Sequence, residues 1–107
     1  MIQAEFYRSS EGRLLGFEVS GHAGLADEGH DVCCASVSSA VMLAANTITE
    51  AFKIDAKVSV EDNDIMLKLG NDPQGEGDKV LLGLLTHLYL MQDEFPGYVM
   101  VKVHDRP

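Results

Sequence analysis

Tryptophan is absent, cysteine occurs twice, and basic side chains are scarce, and these shortages exclude several classes of protein. Lys and Arg together number 8 against 17 Asp and Glu, which gives a formal net charge of −9. That charge repels a phosphate backbone, so we expect no direct binding to nucleic acid. The same field attracts a basic protein partner, although an acidic balance also serves solubility alone.

The amino-acid sequence also shows neither a long apolar run nor the features of a secretory leader. We see no hydrophobic run that approaches a membrane span, and the N-terminus, MIQAEFYRSSEGR, has an acid at its fifth position and no apolar core. We therefore expect a cytoplasmic protein with no membrane partner. A chain of 107 residues is long enough for one modest core, so a single domain over residues 1–107 is predicted.

The two cysteines, Cys33 and Cys34, are adjacent in the chain. They cannot join distant segments, and a disulfide between neighbours would need a strained ring. A disulfide-stabilised scaffold is therefore excluded.

Hydrophobic periodicity divides the chain into strands and helices. Alternation predicts strands over residues 2–8, 14–20, 56–62, 63–70 and 97–105, and helical spacing predicts helices over 32–53 and 79–95. The apolar stripe of the first helix consists of Val37, Val41, Ala44, Ile48 and Phe52, and that of the second lies at positions 81, 84, 85 and 88. The order ββαββαβ predicts an α+β fold, a two-layer sandwich with a five-stranded mixed sheet and both helices on one face.

Apolar residues that fall outside these stripes indicate a second contact surface. Met42 and Leu43 lie off the core stripe of the first helix. They could cover another strand or a partner subunit, and the pattern does not choose between the two.

The chemically reactive residues are concentrated where a glycine-rich loop over residues 21–31 meets the first helix. The segment runs GHAGLADEGHDVCCA. Asp31 occupies the position expected of a helix N-cap, which makes Cys34 the third helical residue. Backbone N–H groups and the helix dipole favour a thiolate in that turn.

A histidine beside this thiol would complete a nucleophilic pair. His22 follows the second predicted strand, and Gly21 and Gly24 allow the chain to bend there. An imidazole in this place could accept the thiol proton and return it to a leaving amine.

Other interpretations of the same residues remain open. His22, His30, Asp31, Cys33 and Cys34 could ligate a metal, but adjacent helical cysteines diverge by about 100° and zinc sites space their thiols by about two to four residues. A redox thiol pair meets the same objection. Asp31 and Ser38 also suit purely structural roles, as a cap and a packing residue. The residues alone do not decide which cysteine is reactive.

The stretch SGHAGLADEGHDVCCASVSS resembles the ribosomal-processing cysteine protease family, Prp. Its signature is a Gly-His-Ala turn, then Gly-x-Asp, two aliphatic residues and Cys-Ala, with a serine four residues after the cysteine. By this resemblance the general base is His22 in the turn that begins at Gly21, and the nucleophile is Cys34. Asp31 and Ser38 are implied to support the site. Cys33 stands where the family has an aliphatic residue, which implies a buried substitute for valine.

The resemblance also implies a substrate and an assembly state. Members of the family remove an N-terminal extension from ribosomal protein number twenty-seven of the large subunit, cleaving after a hydrophobic, aromatic-ended motif. They form homodimers with a flexible loop over the active site, which would be residues 23–30 here. We expect neither a cofactor nor a metal in this chain. The alternative is a non-catalytic acidic module that binds a basic ribosomal or assembly protein.

Overall fold

Five strands and two long helices follow one another in the order ββαββαβ, as predicted. A computed structural model describes residues 1–21, 30–62 and 64–106, with the backbone alone for His30 and Asp31. The elements are β1 (Ile2–Ser9), β2 (Leu14–Ser20), α1 (His30–Asn46) with a π-helical turn (Thr47–Ala51), β3 (Ala56–Glu61), β4 (Asp64–Leu69), α2 (Glu76–Glu94) and β5 (Val99–Arg106).

The strands form one mixed sheet in the spatial order β3-β4-β2-β1-β5. The first and last strands of the chain are parallel neighbours, with Ile2 opposite Val99, and the other three pairs are antiparallel. The predicted five-stranded mixed sheet is therefore confirmed. β4 pairs with β3 on one side and with β2 on the other. Because its pairing with β2 is antiparallel, the start of β4 lies beside the end of β2.

A single apolar layer fills the space between the sheet and the helices. Phe6 and Phe17 face each other across β1 and β2, with ring centroids 6.0 Å apart, and both are fully buried. The helices contribute Cys33, Val37, Val41, Ala44, Ala45, Ile48, Leu81, Leu84, Leu85, Leu88 and Met91 to the same core. Both helices thus cover one face of the sheet, and removal of this apolar surface from water is the main stabilising term.

The predicted stripe of α1 is wrong at its last member. Phe52 lies beyond the π-helical turn and is 45% exposed. A π-helical turn holds more residues than an α-helical one, so it rotates the following side chain away from the stripe. The helical segment ends at Ala51, and Lys53, two residues later, adopts a positive φ of 56°.

The second helix begins earlier than its apolar pattern predicts. Residues 71–78 are expected to form a loop, yet α2 starts at Glu76. The carboxylate of Asp72 accepts hydrogen bonds from the backbone N–H groups of Gly77 and Asp78, at 3.2 and 3.1 Å. A side chain from the loop therefore satisfies the helix start, which allows the helix to extend into a polar segment.

The expectation that no apolar run reaches membrane length is also wrong. The helical segment Val32–Ala51 is long and apolar enough to cross a membrane by length and composition alone, with a mean hydropathy of 1.5. In the fold this segment lies on the sheet, and Cys33, Val41 and Ile48 are fully buried. Packing in the core accounts for the part of its apolar composition that lies on the sheet side, while Val32 and Leu43 remain exposed.

Candidate active site

A pocket of about 200 Å³ opens at the end of the sheet where β2 finishes and α1 packs over it. Its lining includes Gly21, Cys34 and Ser38 together with apolar side chains of both layers. Three of the five predicted site residues are therefore brought together around one cavity. The two others are His22, which lies outside the described residues, and Asp31, which is described as backbone only.

Gly21 ends β2 with a backbone conformation that other residues rarely adopt. Its φ is 91°, and a Cβ atom at this position would overlap the carbonyl oxygen of Met1. Glycine is required on both counts. The chain therefore leaves the sheet at the pocket, and the next residue in sequence is His22.

The two cysteines are adjacent in α1 but have different surroundings. Cys33 is fully buried in the core, as a substitute for valine would be, whereas Cys34 is partly exposed and lines the pocket. Successive residues of a helix point about 100° apart, which explains the divergence. Both are described residues, and neither forms a disulfide.

The chemical state of Cys33 follows from its burial. Loss of hydration, and secondarily the negative charge of a Cys34 thiolate, raises the pKa of Cys33 above its ordinary value. A raised pKa keeps the thiol protonated, and a protonated, inaccessible sulfur is a poor nucleophile. Of the two thiols, Cys34 is the one that a substrate can reach.

The position of Cys34 within α1 differs from the prediction. Because α1 begins at His30, Asp31 is its second residue and not its N-cap, and Cys34 is the fifth residue and not the third. An acidic residue is favoured inside the first turn by the helix dipole, so Asp31 needs no capping position to stabilise this end. Cys34 therefore begins the second turn, one turn before Ser38, which lies on the same side of the helix.

The described residues do not assemble a metal centre. No group of three or more His, Cys, Asp or Glu side chains capable of holding an ion occurs among residues 1–21, 30–62 and 64–106, within which the side chains of His30 and Asp31 are not described. Of the metal ligands considered from the sequence, Cys33 is directed into the core and Cys34 into the pocket. The two sulfurs thus do not converge on one point.

Two acidic residues of the pocket were not singled out from the sequence. Glu61 and Asp64 line it from the β3–β4 hairpin. Asp64 lies opposite Ser20 in the sheet, directly before Gly21. The sequence pattern placed these acids in the third and fourth predicted strands and gave them no role in the site, because the pairing of β4 with β2 is a long-range contact that local patterns do not encode.

Comparison with known proteins shows which family this sequence matches. A model of the family described as cysteine protease Prp matches residues 1–100. The ribosomal processing cysteine protease Prp of Bacillus subtilis (strain 168) is 44% identical over 48 residues, which cover 45% of this chain and 43% of that protein. The aligned segment therefore spans less than half of that relative.

Solved structures share the architecture. The essential ribosomal processing protease Prp from S. aureus, in complex with a covalently linked product peptide, has a TM-score of 0.88 at 20% identity and covers 97% of this chain and 100% of its own. The protein SMU.848 from Streptococcus mutans has a TM-score of 0.81 at 25% identity, with coverages of 99% and 96%. The S. aureus likeness establishes the fold, and the family model extends over nearly the full length of the sequence. The chain therefore belongs to the cysteine protease Prp family.

Proposed function

We propose that this protein is a cysteine endopeptidase that removes the N-terminal extension of ribosomal protein number twenty-seven of the large subunit, and so supports ribosome assembly in the cytoplasm. The observation that carries the proposal is the position of Cys34: a partly exposed thiol in a pocket at the start of α1, in a chain of the Prp family. The S. aureus relative, named as a ribosomal processing protease and holding a covalently linked product peptide, supports the same chemistry.

In this mechanism His22 transfers a proton twice, and the peptide bond is exchanged for an acyl-enzyme thioester that water later cleaves. His22 takes the proton of the Cys34 thiol, and the thiolate attacks the scissile carbonyl carbon to form a tetrahedral intermediate. Backbone N–H groups at the start of α1 or in the glycine turn stabilise its oxyanion, because the first four N–H groups of a helix have no intrahelical acceptor. The protonated His22 then gives its proton to the leaving amine, and water hydrolyses the acyl-enzyme.

Gly21, Asp31 and Ser38 support the reaction without forming a bond to the substrate. Gly21 sets the turn that precedes His22, and Ser38 lies one helical turn beyond Cys34 on the pocket wall. Asp31 adds negative charge in the first turn of α1, where the helix dipole favours it.

The test is cleavage of a peptide that carries the extension and the junction of the ribosomal protein. Mass spectrometry should detect both fragments with the wild-type protein and neither with Cys34→Ala or His22→Ala. Cys33→Val is the matched control, because it alters the neighbouring thiol and should retain cleavage. Cleavage by Cys34→Ala at the wild-type rate would contradict the proposal, and loss of cleavage in Cys33→Val alone would move the nucleophile by one residue. Tight binding of the peptide without cleavage would favour the acidic binding module instead.

We further propose that two copies pair through a groove between the helices. The groove has a volume of about 700 Å³, and its lining includes Val32 and Leu43, which are 61% and 68% exposed. Exposed apolar surface of this kind is uncommon on monomers. Analytical ultracentrifugation should find a dimer that Leu43→Lys dissociates, whereas Leu82→Lys, at an exposed position of α2 outside the groove, should leave it intact. A wild-type monomer at all accessible concentrations would contradict the pairing.

A further inference from the structure

The two outermost strands of the sheet, β3 and β5, differ in how their free edges are covered. At β5 the backbone N–H of Val101 donates a hydrogen bond to Oε1 of Gln92 on α2, at 2.7 Å. The helix layer therefore satisfies part of that edge. Along β3 (Ala56–Glu61) no group from residues 1–21, 30–62 and 64–106 is hydrogen-bonded to the outer edge. An uncovered strand edge is a template for another extended chain.

The direction of the main-chain groups of β3 follows from one hydrogen bond at its start. The backbone N–H of Gly70 donates to the carbonyl oxygen of Asp55 at 2.8 Å, directly before the strand, and the β3–β4 register continues without a shift to the turn. Antiparallel partners alternate between bonded and non-bonded pairs, so the odd-numbered residues of β3 form main-chain hydrogen bonds with β4. The N–H and C=O groups of Val58 and Val60 therefore point toward the free edge.

The side chains of these two valines form an exposed apolar surface beside that edge. Val58 lies opposite Leu67, which is buried in the core. Val60 lies opposite Ile65, which packs against the same core. Directly opposite side chains share a face of the sheet, so both valines point to the helix side. Val58 is nevertheless 38% exposed and Val60 61% exposed, so the helix layer leaves this strand uncovered.

The uncovered edge leads to the reactive thiol. Val60 and Glu61, at the end of β3, line the same pocket as Cys34. A row of main-chain donors and acceptors along a strand edge is matched by the backbone of an extended peptide and not by a compact ligand. Because the edge is continuous with the Cys34 pocket, the occupant that fits both is the peptide to be cleaved.

We propose that the free edge of β3 binds the peptide substrate as an added sixth strand and so directs the scissile bond to Cys34. This inference rests on the proposed peptidase function and adds the element that positions the substrate. Main-chain pairing supplies affinity that does not depend on the substrate side chains, whereas Val58 and Val60 favour apolar side chains at alternate positions of the substrate.

The first test replaces the amides of the junction peptide, one at a time, by N-methyl amides. In a strand that pairs with β3, every second N–H points toward the protein, and its methylation removes a hydrogen bond and adds a steric conflict. Methylation should reduce kcat/KM about tenfold at alternate positions on one side of the scissile bond, and much less at the positions between them. Losses that do not alternate would overturn the inference while leaving the peptidase proposal standing.

Amide hydrogen exchange locates the bound peptide without catalysis. In the ¹⁵N-labelled Cys34→Ala variant, NMR should find rapid exchange at Val58 and Val60 and slow exchange at Lys57 and Ser59, which are bonded to β4. The junction peptide at high concentration should slow exchange at the two valines about tenfold or more. No slowing would overturn the inference. Slow exchange at both valines without peptide would also overturn it, because the chain itself or a second copy would then cover the edge.

The two experiments separate this inference from the peptidase proposal. Slowed exchange at the two valines without cleavage by the wild-type protein would support the added strand and contradict the peptidase. Cleavage without slowed exchange would do the reverse.

A side-chain substitution tests the apolar part of the edge. Val58→Thr keeps the shape of the side chain and should raise the Kd for the peptide about fivefold, as loss of apolar contact requires. Val58 does not line the Cys34 pocket, so this effect is specific to the edge. Ser59→Thr is the matched control, because the next residue of a strand points to the opposite face. Fluorescence anisotropy measures both Kd values, and circular dichroism establishes that each variant is folded. Equal Kd values for the two variants would overturn the role of the valine side chains.

Discussion

Two sides of α1 near its start each carry a cysteine thiol, and the two thiols have opposite environments. On the sheet side, Cys33 is enclosed by the core, and its raised pKa keeps it protonated. On the pocket side, Cys34 is partly exposed beside Ser38 and two acidic residues of the hairpin. Successive helical residues are separated by a rotation of about 100° and a rise of only about 1.5 Å, so the two side chains start close together and point in different directions. We therefore expect the surroundings of each thiol, and not its place in the sequence, to decide its reactivity.

The largest expected difference between the two sides is in alkylation rate. The variants Cys33→Val and Cys34→Ser each leave one thiol, and at about pH 8 iodoacetamide should modify Cys34 roughly a hundredfold faster than Cys33 or more. Burial raises the pKa of Cys33, so its thiolate fraction at that pH is small and its rate should climb only at higher pH. Mass spectrometry of timed samples measures both rates. Equal alkylation rates for the two single-thiol variants would contradict the predicted difference between Cys33 and Cys34.

The pocket side depends on the turn at Gly21, and Gly21→Ala should disturb it. The substitution combines an unfavourable positive φ with overlap of the Met1 carbonyl oxygen, and should lower the free energy of unfolding by about 2–3 kcal/mol. Gly12→Ala is the control, because Gly12 has a similar φ of 85° but no neighbouring atom within 4 Å. Denaturant unfolding should show a smaller loss for the control. Equal losses would mean that the contact with Met1 contributes nothing.

Substitution of each cysteine by serine should change the free energy of unfolding by different amounts on the two sides of α1. Cys33→Ser buries a polar group in the core and should cost about 2 kcal/mol, whereas Cys34→Ser at a partly exposed position should cost less than about 1 kcal/mol. Cys33→Val keeps the site apolar and should cost at most about 1.5 kcal/mol. Urea titrations of the three variants measure these changes. A Cys33→Ser variant as stable as the wild type would show that the core side accommodates a polar atom.

The smallest effect is expected at the hairpin wall of the pocket. Asp64→Asn removes a charge that opposes Glu61 and should raise the free energy of unfolding by up to about 1 kcal/mol. Asp62→Asn should change it by less than about 0.5 kcal/mol, since Asp62 is exposed in the turn. Thermal unfolding of both proteins at low salt is the measurement. A destabilised Asp64→Asn would indicate that the carboxylate has a structural role.

Local patterns predict most of the secondary structure and part of the site. Alternation located the strands, and helical spacing located the buried residues of α2, because both periods follow directly from backbone geometry. The pattern did not predict the π-helical turn that exposes Phe52, nor the capping by Asp72 that starts α2 at Glu76, since neither produces a periodic signal in the apolar residues.

The sequence likewise predicts some features of the candidate site and misses others. The burial of Cys33 is as the family resemblance implies, and Gly21, Cys34 and Ser38 do share a pocket. Asp64 joins them only because β4 pairs with β2, and the register of a long-range strand pair is set by the whole fold. The role of His22 as general base remains a prediction, because this residue lies outside the described part of the chain.

The parallel pairing of β1 with β5 has a practical consequence for protein engineering. Both strands run in the same direction, so the start of β1 and the end of β5 lie at opposite ends of the sheet. Ile2 lines the Cys34 pocket, and the Met1 carbonyl contacts the turn at Gly21. An affinity tag or fluorescent fusion placed ahead of Met1 would therefore emerge beside the Cys34 pocket, whereas the end of β5 lies at the far end of the sheet.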